Sequence, residues 1–382
     1  MTLPDYHGGS IVNLMASVAR AFGAESGPYP PLRSLPPTRL ASRNVVLLVI
    51  DGLGHSALME RCGAGVLARH TLGRITSVFP TTTASAITTF LTGTAPQQHG
   101  VTGWFTYFRE LGEVLTVLPY HTRRGGAPPE APAGALFDVP PVFDRLDALS
   151  HIVTPAHIAH SAFNTAHRGK AQVHGYEALG HMLGTIARLV RQPGPRNYIY
   201  AYWPEYDKLA HEHGVASREA AAHIAELDAA IADLLARIRG TGTTVVVTAD
   251  HGFIDMKAER AIQLDAHPEL ARTLSLPLCG ERRAAYCYVD ASRRSQFVEY
   301  VTTHLAEHAD LKASADLVQE GYFGLGPPHA RLHDRIGDYT LLMKEAALVI
   351  DWLPGEQRYS HIGVHGGLCE QELYVPLIVA EA

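Results

Sequence analysis

The run "NVVLLVIDGLG" at residues 44–54 constrains the fold most: six aliphatic residues, 45–50, lead straight into an aspartate. An apolar run without alternation suits a strand buried on both faces. Two further segments are built alike, "RNYIYAYWPEYD" (196–207) and "TTVVVTADHG" (243–252), and both end in acidic residues. A helix is expected between them from Ser217 to about Arg239. Ser217 is its N-cap, and Ile224, Leu227, Ile231, Leu234, Leu235 and Ile238 fall on one stripe. A second helix is expected over 178–191, a third over 84–92, and "ELYVPLIVA" (372–380) reads as a last strand. This alternation predicts an α/β fold with a mostly parallel central sheet and helices on both faces. In such sheets ligands sit beyond the carboxyl ends of the strands, where these runs place Asp51, Asp207 and Asp250. Glycine- and proline-rich text after Trp104 and the irregular stretch 266–345 predict cap insertions at about 104–175 and 255–345. Both belong to one catalytic domain over 1–382.

The formal charge of −6 gives no sign of a nucleic-acid polymer or a membrane as partner. The longest aliphatic run, 45–50, is far too short to span a bilayer, and the N-terminus lacks the basic-then-apolar order of a secretory signal. Four scattered cysteines form no CxxC pair, so reduced thiols and a cytoplasmic location are expected.

The 22 histidines invite a search for metal ligands. Asp207 and His211, four apart in "DKLAHEHG", share one face of a helical turn. Asp250 and His251 end an apolar strand. His365 lies in "HIGVHGGLCEQ", whose glycines allow close backbone approach. Taken singly, each has a bland reading as a turn, a solvated helix start or a loop. Taken together, oxygen and imidazole donors without thiolate suit zinc or manganese, and they suffice for two ions.

With these residues in view, the chain resembles the alkaline phosphatase superfamily, in particular its nucleotide pyrophosphatase/phosphodiesterase branch. The motifs are "VVLLVIDGLG", "SVFPTTTASAITTFLTGTAPQQHG", "YWPEYDKLAHEHG", "VVVTADHG" and "HGGLCEQELYVPLIV", in the family's order over about 44–379. The resemblance implies one metal held by Asp51, Thr83, Asp250 and His251, and another by Asp207, His211 and His365, with His361 the rival for the last place. It also implies that Thr83 is the nucleophile, since the family places it nine residues before a Thr-Gly pair, here Thr92-Gly93. Thr82 is the runner-up, and Thr81 is expected to serve the turn.

The expected activity is hydrolysis of a phosphodiester or pyrophosphate bond in a small nucleotide-like ester through a phosphothreonine. Phosphomonoester or phosphonate hydrolysis, and a non-catalytic metal- or phosphate-binding role, are the alternatives. The chain departs from the diesterases after the nucleophile: they carry a Pro-Asn-His motif there, whereas this chain reads Ala84-Ser85-Ala86, with Ala86 in the place of the asparagine that contacts phosphate. The same residues do not fit the C/S-x-P-x-R motif of sulfatases. Trp104, Phe105, Tyr107 and Phe108 are candidates to stack on a ring, although packing is the commoner role for such a cluster. Lys208 is a candidate phosphate contact, although a solvated lysine is the default.

Overall fold

The computed structural model describes residues 2–125, 128–356, 358 and 360–382. Its central sheet has seven strands: β1 (Asn44–Ile50), β2 (Thr71–Thr76), β3 (Leu149–Pro155), β4 (Gln172–Tyr176), β5 (Asn197–Trp203), β6 (Thr243–Thr248) and β7 (Tyr374–Glu381). Their spatial order is β2-β7-β6-β1-β5-β3-β4. All seven residues of β1 are buried, as its unbroken apolar run requires. β1 pairs in parallel with β5 (Asn44 opposite Asn197, Ile50 opposite Trp203) and with β6.

The helices used below are α1 (Ile11–Ala21), α2 (Thr83–Thr92), α3 (Leu179–Leu189), α4 (Glu205–His213) and α5 (Arg218–Arg237). α1 packs with α2, and α3 with α5. The Ser217 side chain caps α5 by accepting from the Ala220 N–H. α1 is not among the helices expected from the sequence. Among the described residues no helix is long and apolar enough to cross a membrane.

Three expectations need correction. The expected parallel order holds for β1, β3, β4, β5 and β6, but the sheet as a whole is mixed, because β7 runs antiparallel to both β6 and β2. The loop before it lies at the carboxyl ends of the parallel strands, where Gly252 N–H donates to the Glu372 carbonyl. A strand that starts from that edge can only run back. Second, residues 104–175 are not a single insertion, since β3 and β4 complete the central sheet. The remainder, with part of 255–345, forms a second seven-stranded sheet, antiparallel throughout. Its order is 309–313, 339–343, 284–287, 279–280, 105–108, 113–116 and 121–122. Third, the strand at 196–207 ends at Trp203, so Asp207 sits in the first turn of α4 rather than at a strand end.

Candidate active site

β1 delivers Asp51 into a turn that only glycine can follow. Gly52 has φ +74°, and a Cβ there would lie 2.4 Å from the Phe253 ring. Asp51 is 2% exposed, and its Oδ2 accepts a short hydrogen bond from the Tyr202 hydroxyl on β5. β6 delivers Asp250 and His251, both fully buried. Asp250 Oδ1 accepts from the Gly52 and His251 N–H groups, each at 2.9 Å, which stitches the ends of β1 and β6 together.

His251 Nε2 stands at the centre. It is 3.4 Å from Asp51 Oδ1, 3.4 Å from Asp250 Oδ2, 3.2 Å from Thr83 Oγ1 and 4.0 Å from Asp207 Oδ1. Asp207 Oδ1 lies 3.5 Å from His211 Nε2 and 4.0 Å from His365 Nε2. Backbone carbonyls hold the other nitrogens: His211 Nδ1 is 2.9 Å from the Gly363 oxygen, and His365 Nδ1 3.1 Å from the Thr81 oxygen. A carbonyl can only accept, so each Nδ1 carries the proton and each Nε2 turns a lone pair inward. The His361 ring packs on His211, with centroids 4.1 Å apart and the planes tilted by 34°.

Asp51, Asp250 and His251 form one compact donor group, and Asp207, His251 and His365 another. Asp51 Oδ1, Asp207 Oδ1 and Asp250 Oδ2 are buried and have no hydrogen-bond partner. Burial, then the charges of Asp250 and Asp207, drives the Asp51 carboxyl well above the carboxylate range. Burial also depresses His211 to about 3, with His361 adding to the effect. Three crowded carboxylates with orphaned oxygens facing neutral imidazole lone pairs are a donor set for divalent cations, which hold carboxylates ionised and imidazoles unprotonated.

The threonines differ in role. Thr82 is the N-cap residue of α2, and its buried hydroxyl lies beside the Glu281 carboxylate. Thr83 is the first residue of that helix, not the one before it, and its hydroxyl faces His251. Thr81 Oγ1 donates to the Gly367 carbonyl at 2.8 Å and accepts from Gly366 N–H at 3.2 Å. Thr81 therefore clamps the loop that carries His365. Ala84, Ser85 and Ala86 are fully buried and line neither cavity that Thr83 opens onto.

One of those cavities, about 670 Å³, is walled by Ile87, Leu91, Leu118, Ile152, Ile158 and Phe163, with Lys208 at its edge. The other, about 240 Å³, is lined by Thr82, Asp207, His211, Arg282, His361 and His365 among others. Trp104 lines both, whereas Tyr107 and Phe108 pack on Tyr288 and Phe137. Three residues here carried no flag in the sequence: Tyr202, Glu281 and Arg282. Tyr202 could have been suspected, since Tyr198, Tyr200 and Tyr202 alternate on one face of β5 beside the strand that ends in Asp51. Desolvation raises the Glu281 carboxyl to about 7, and Glu281 Oε1 accepts from the Trp104 N–H at 2.6 Å. Nothing in its local sequence marks it.

Residues 45–368 match the family model described as type I phosphodiesterase / nucleotide pyrophosphatase. Murine ectonucleotide pyrophosphatase / phosphodiesterase 5, in an inactive form in complex with AMP, superposes with TM-score 0.67 at 15% identity, covering 87% of each chain. The human protein of that name gives TM-score 0.67 at 16% identity, covering 88% of this chain and 87% of the other. Phosphonoacetate hydrolase from Sinorhizobium meliloti, in complex with phosphonoformate, gives 0.59 at 20% identity over 88% of this chain and 90% of its own. At these identities the likeness is one of fold. No curated protein matches the chain.

Proposed function

The chain belongs to the type I phosphodiesterase / nucleotide pyrophosphatase family, whose members are phosphoric-ester hydrolases, and from that premise we propose that it cleaves phosphodiester or pyrophosphate bonds of nucleotide-like compounds with Thr83 as nucleophile. The observation that carries this is the position of Thr83 Oγ1. It sits 3.2 Å from His251 Nε2, at the start of α2, on the boundary of two cavities and beside three carboxylates with unpartnered oxygens.

Asp51, Asp250 and His251, with Thr83 Oγ1, would hold one divalent cation; Asp207, His211 and His365 would hold the other. Zinc is the first choice for this donor set and manganese the second. Bound there, such ions polarise a phosphoryl oxygen and favour the ionised hydroxyl. The protein does the rest. The first turn of α2 has N–H groups without intrahelical partners, and its positive end favours an anionic phosphate and the Thr83 oxyanion. Tyr202 fixes which oxygen of Asp51 turns inward. Thr81 and the Gly363 carbonyl fix the rings of His365 and His211. Because the site draws on both sheets, the chain is proposed to work as one catalytic unit. A reducing compartment is part of the same proposal, since Cys62 and Cys369 donate to Asp228 and Glu372 rather than pairing.

Thr83→Ala should abolish hydrolysis of bis-p-nitrophenyl phosphate while metal content stays at the native level. Retained turnover in Thr83→Ala, with loss in Thr82→Ala, would reassign the nucleophile. Phosphonate hydrolysis is the second reading, supported by the likeness to a phosphonoacetate hydrolase; phosphonoacetate assayed beside the diester separates the two.

A further inference from the structure

A third cavity, of about 390 Å³, continues outward from the smaller of the two that Thr83 lines. The two share Trp104, Phe105, Gly280, Glu281 and Arg282, so together they form one trough running from Thr83 along the second sheet. Its character differs from that of the 670 Å³ cavity. The larger cavity is walled mainly by aliphatic side chains, whereas the trough presents Trp104, Phe105 and Trp352, each half-buried.

These rings are held in place by their neighbours. The Trp104 backbone is tied to Glu281 Oε1. The Arg123 guanidinium covers Phe105 at 4.2 Å, and is itself buried and fixed by Glu356 at 2.9 Å and the Leu278 carbonyl at 2.8 Å. The Arg282 guanidinium lies over Trp352 at 4.9 Å. Rings fixed in advance lose little freedom when a ligand stacks on them.

We propose that this trough is a second substrate subsite. It takes a flat aromatic group, such as a nucleobase, joined to the scissile phosphorus by an arm that passes Arg282. The inference rests on the hydrolase reading above and sharpens it. A phosphorus held at Thr83 has room for a substituent in each of two cavities, and a monoester fills only one. Arg282 lines the passage where a second phosphoryl group of a pyrophosphate would lie. Stacking on the aromatic walls then selects for a ring at the far end.

The test compares kcat/KM for diadenosine 5′,5′-diphosphate with that for the β-methyl ester of ADP. The second has the same linkage and charge but no second ring. Trp352→Ala should lower the ratio of the two constants about tenfold, through a raised KM for the diadenosine compound, and Trp352→Phe should restore it. Turnover of both compounds at a ratio that Trp352→Ala leaves within twofold of native overturns this inference alone. Turnover of neither by the native protein overturns the pyrophosphate reading and the subsite with it.

Discussion

Replacing Glu372 by glutamine should unfold a large part of the protein's stability margin, although Glu372 touches neither candidate donor group. Five donors converge on its carboxylate: Arg283 Nε (2.7 Å), Arg283 Nη2 (2.9 Å), the N–H groups of Gly367 (2.8 Å) and Cys369 (3.4 Å), and the Cys369 thiol (2.8 Å). The side chains of Arg283 and Glu372 are 1% and 0% exposed. Arg283 lies beside the second sheet, Glu372 precedes β7, and Gly367 follows His365 by two residues. The pair therefore braces the His365 loop against the second sheet. Glutamine offers one accepting oxygen and turns an NH₂ toward donors. The buried guanidinium loses its counter-charge, which costs about 3–5 kcal/mol, out of a total of roughly 5–15 kcal/mol for a typical domain. Urea denaturation followed by circular dichroism reads the loss. A second variant separates stability from positioning. Arg283→Met with Glu372→Leu removes both charges, so global stability should return to within about 1–2 kcal/mol of native. The Gly367 and Cys369 N–H groups still lack their acceptor, and metal affinity should stay about 10–100-fold low. A loss below about 1 kcal/mol in Glu372→Gln, or full recovery of metal affinity in the double variant, would refute the brace.

Two further outcomes follow from the same geometry. Tyr202→Phe deletes the hydroxyl that orients Asp51 and should weaken metal binding about 10–100-fold, read by equilibrium dialysis; native affinity would show that Asp51 needs no orientation. His167, packed between Phe137 and Phe163, is depressed by burial from 6.5 to about 4. The unfolded chain then binds the extra proton first as pH falls. The stability it contributes is complete above pH 6.5 and declines toward pH 4, by about 2 kcal/mol at pH 5. His167→Phe should lose about that much less stability between pH 7 and pH 5, and equal slopes in the two proteins would refute the assignment.

Much of the frame is local and so was legible in the chain. The continuous apolar run of β1, the Ser217 cap, the single stripe of α5 and the four-residue spacing of Asp207 and His211 are set by neighbours in sequence. The candidate donors could be named from those patterns and from the family motifs. The tertiary structure decided the rest. The direction of β7 depends on which edge its loop starts from. The second sheet joins residues 105–122 to 279–343, and no period in either segment announces the other. Tyr202 finds Asp51 because two parallel strands lie side by side, Glu281 reaches Trp104 across 177 positions, and Arg283 meets Glu372 across 89. A hydrophobic period or a helix cap is an energy summed over adjacent residues. A hydrogen bond between distant side chains exists only once the backbone has closed the loop between them, and its partner is not encoded beside either one.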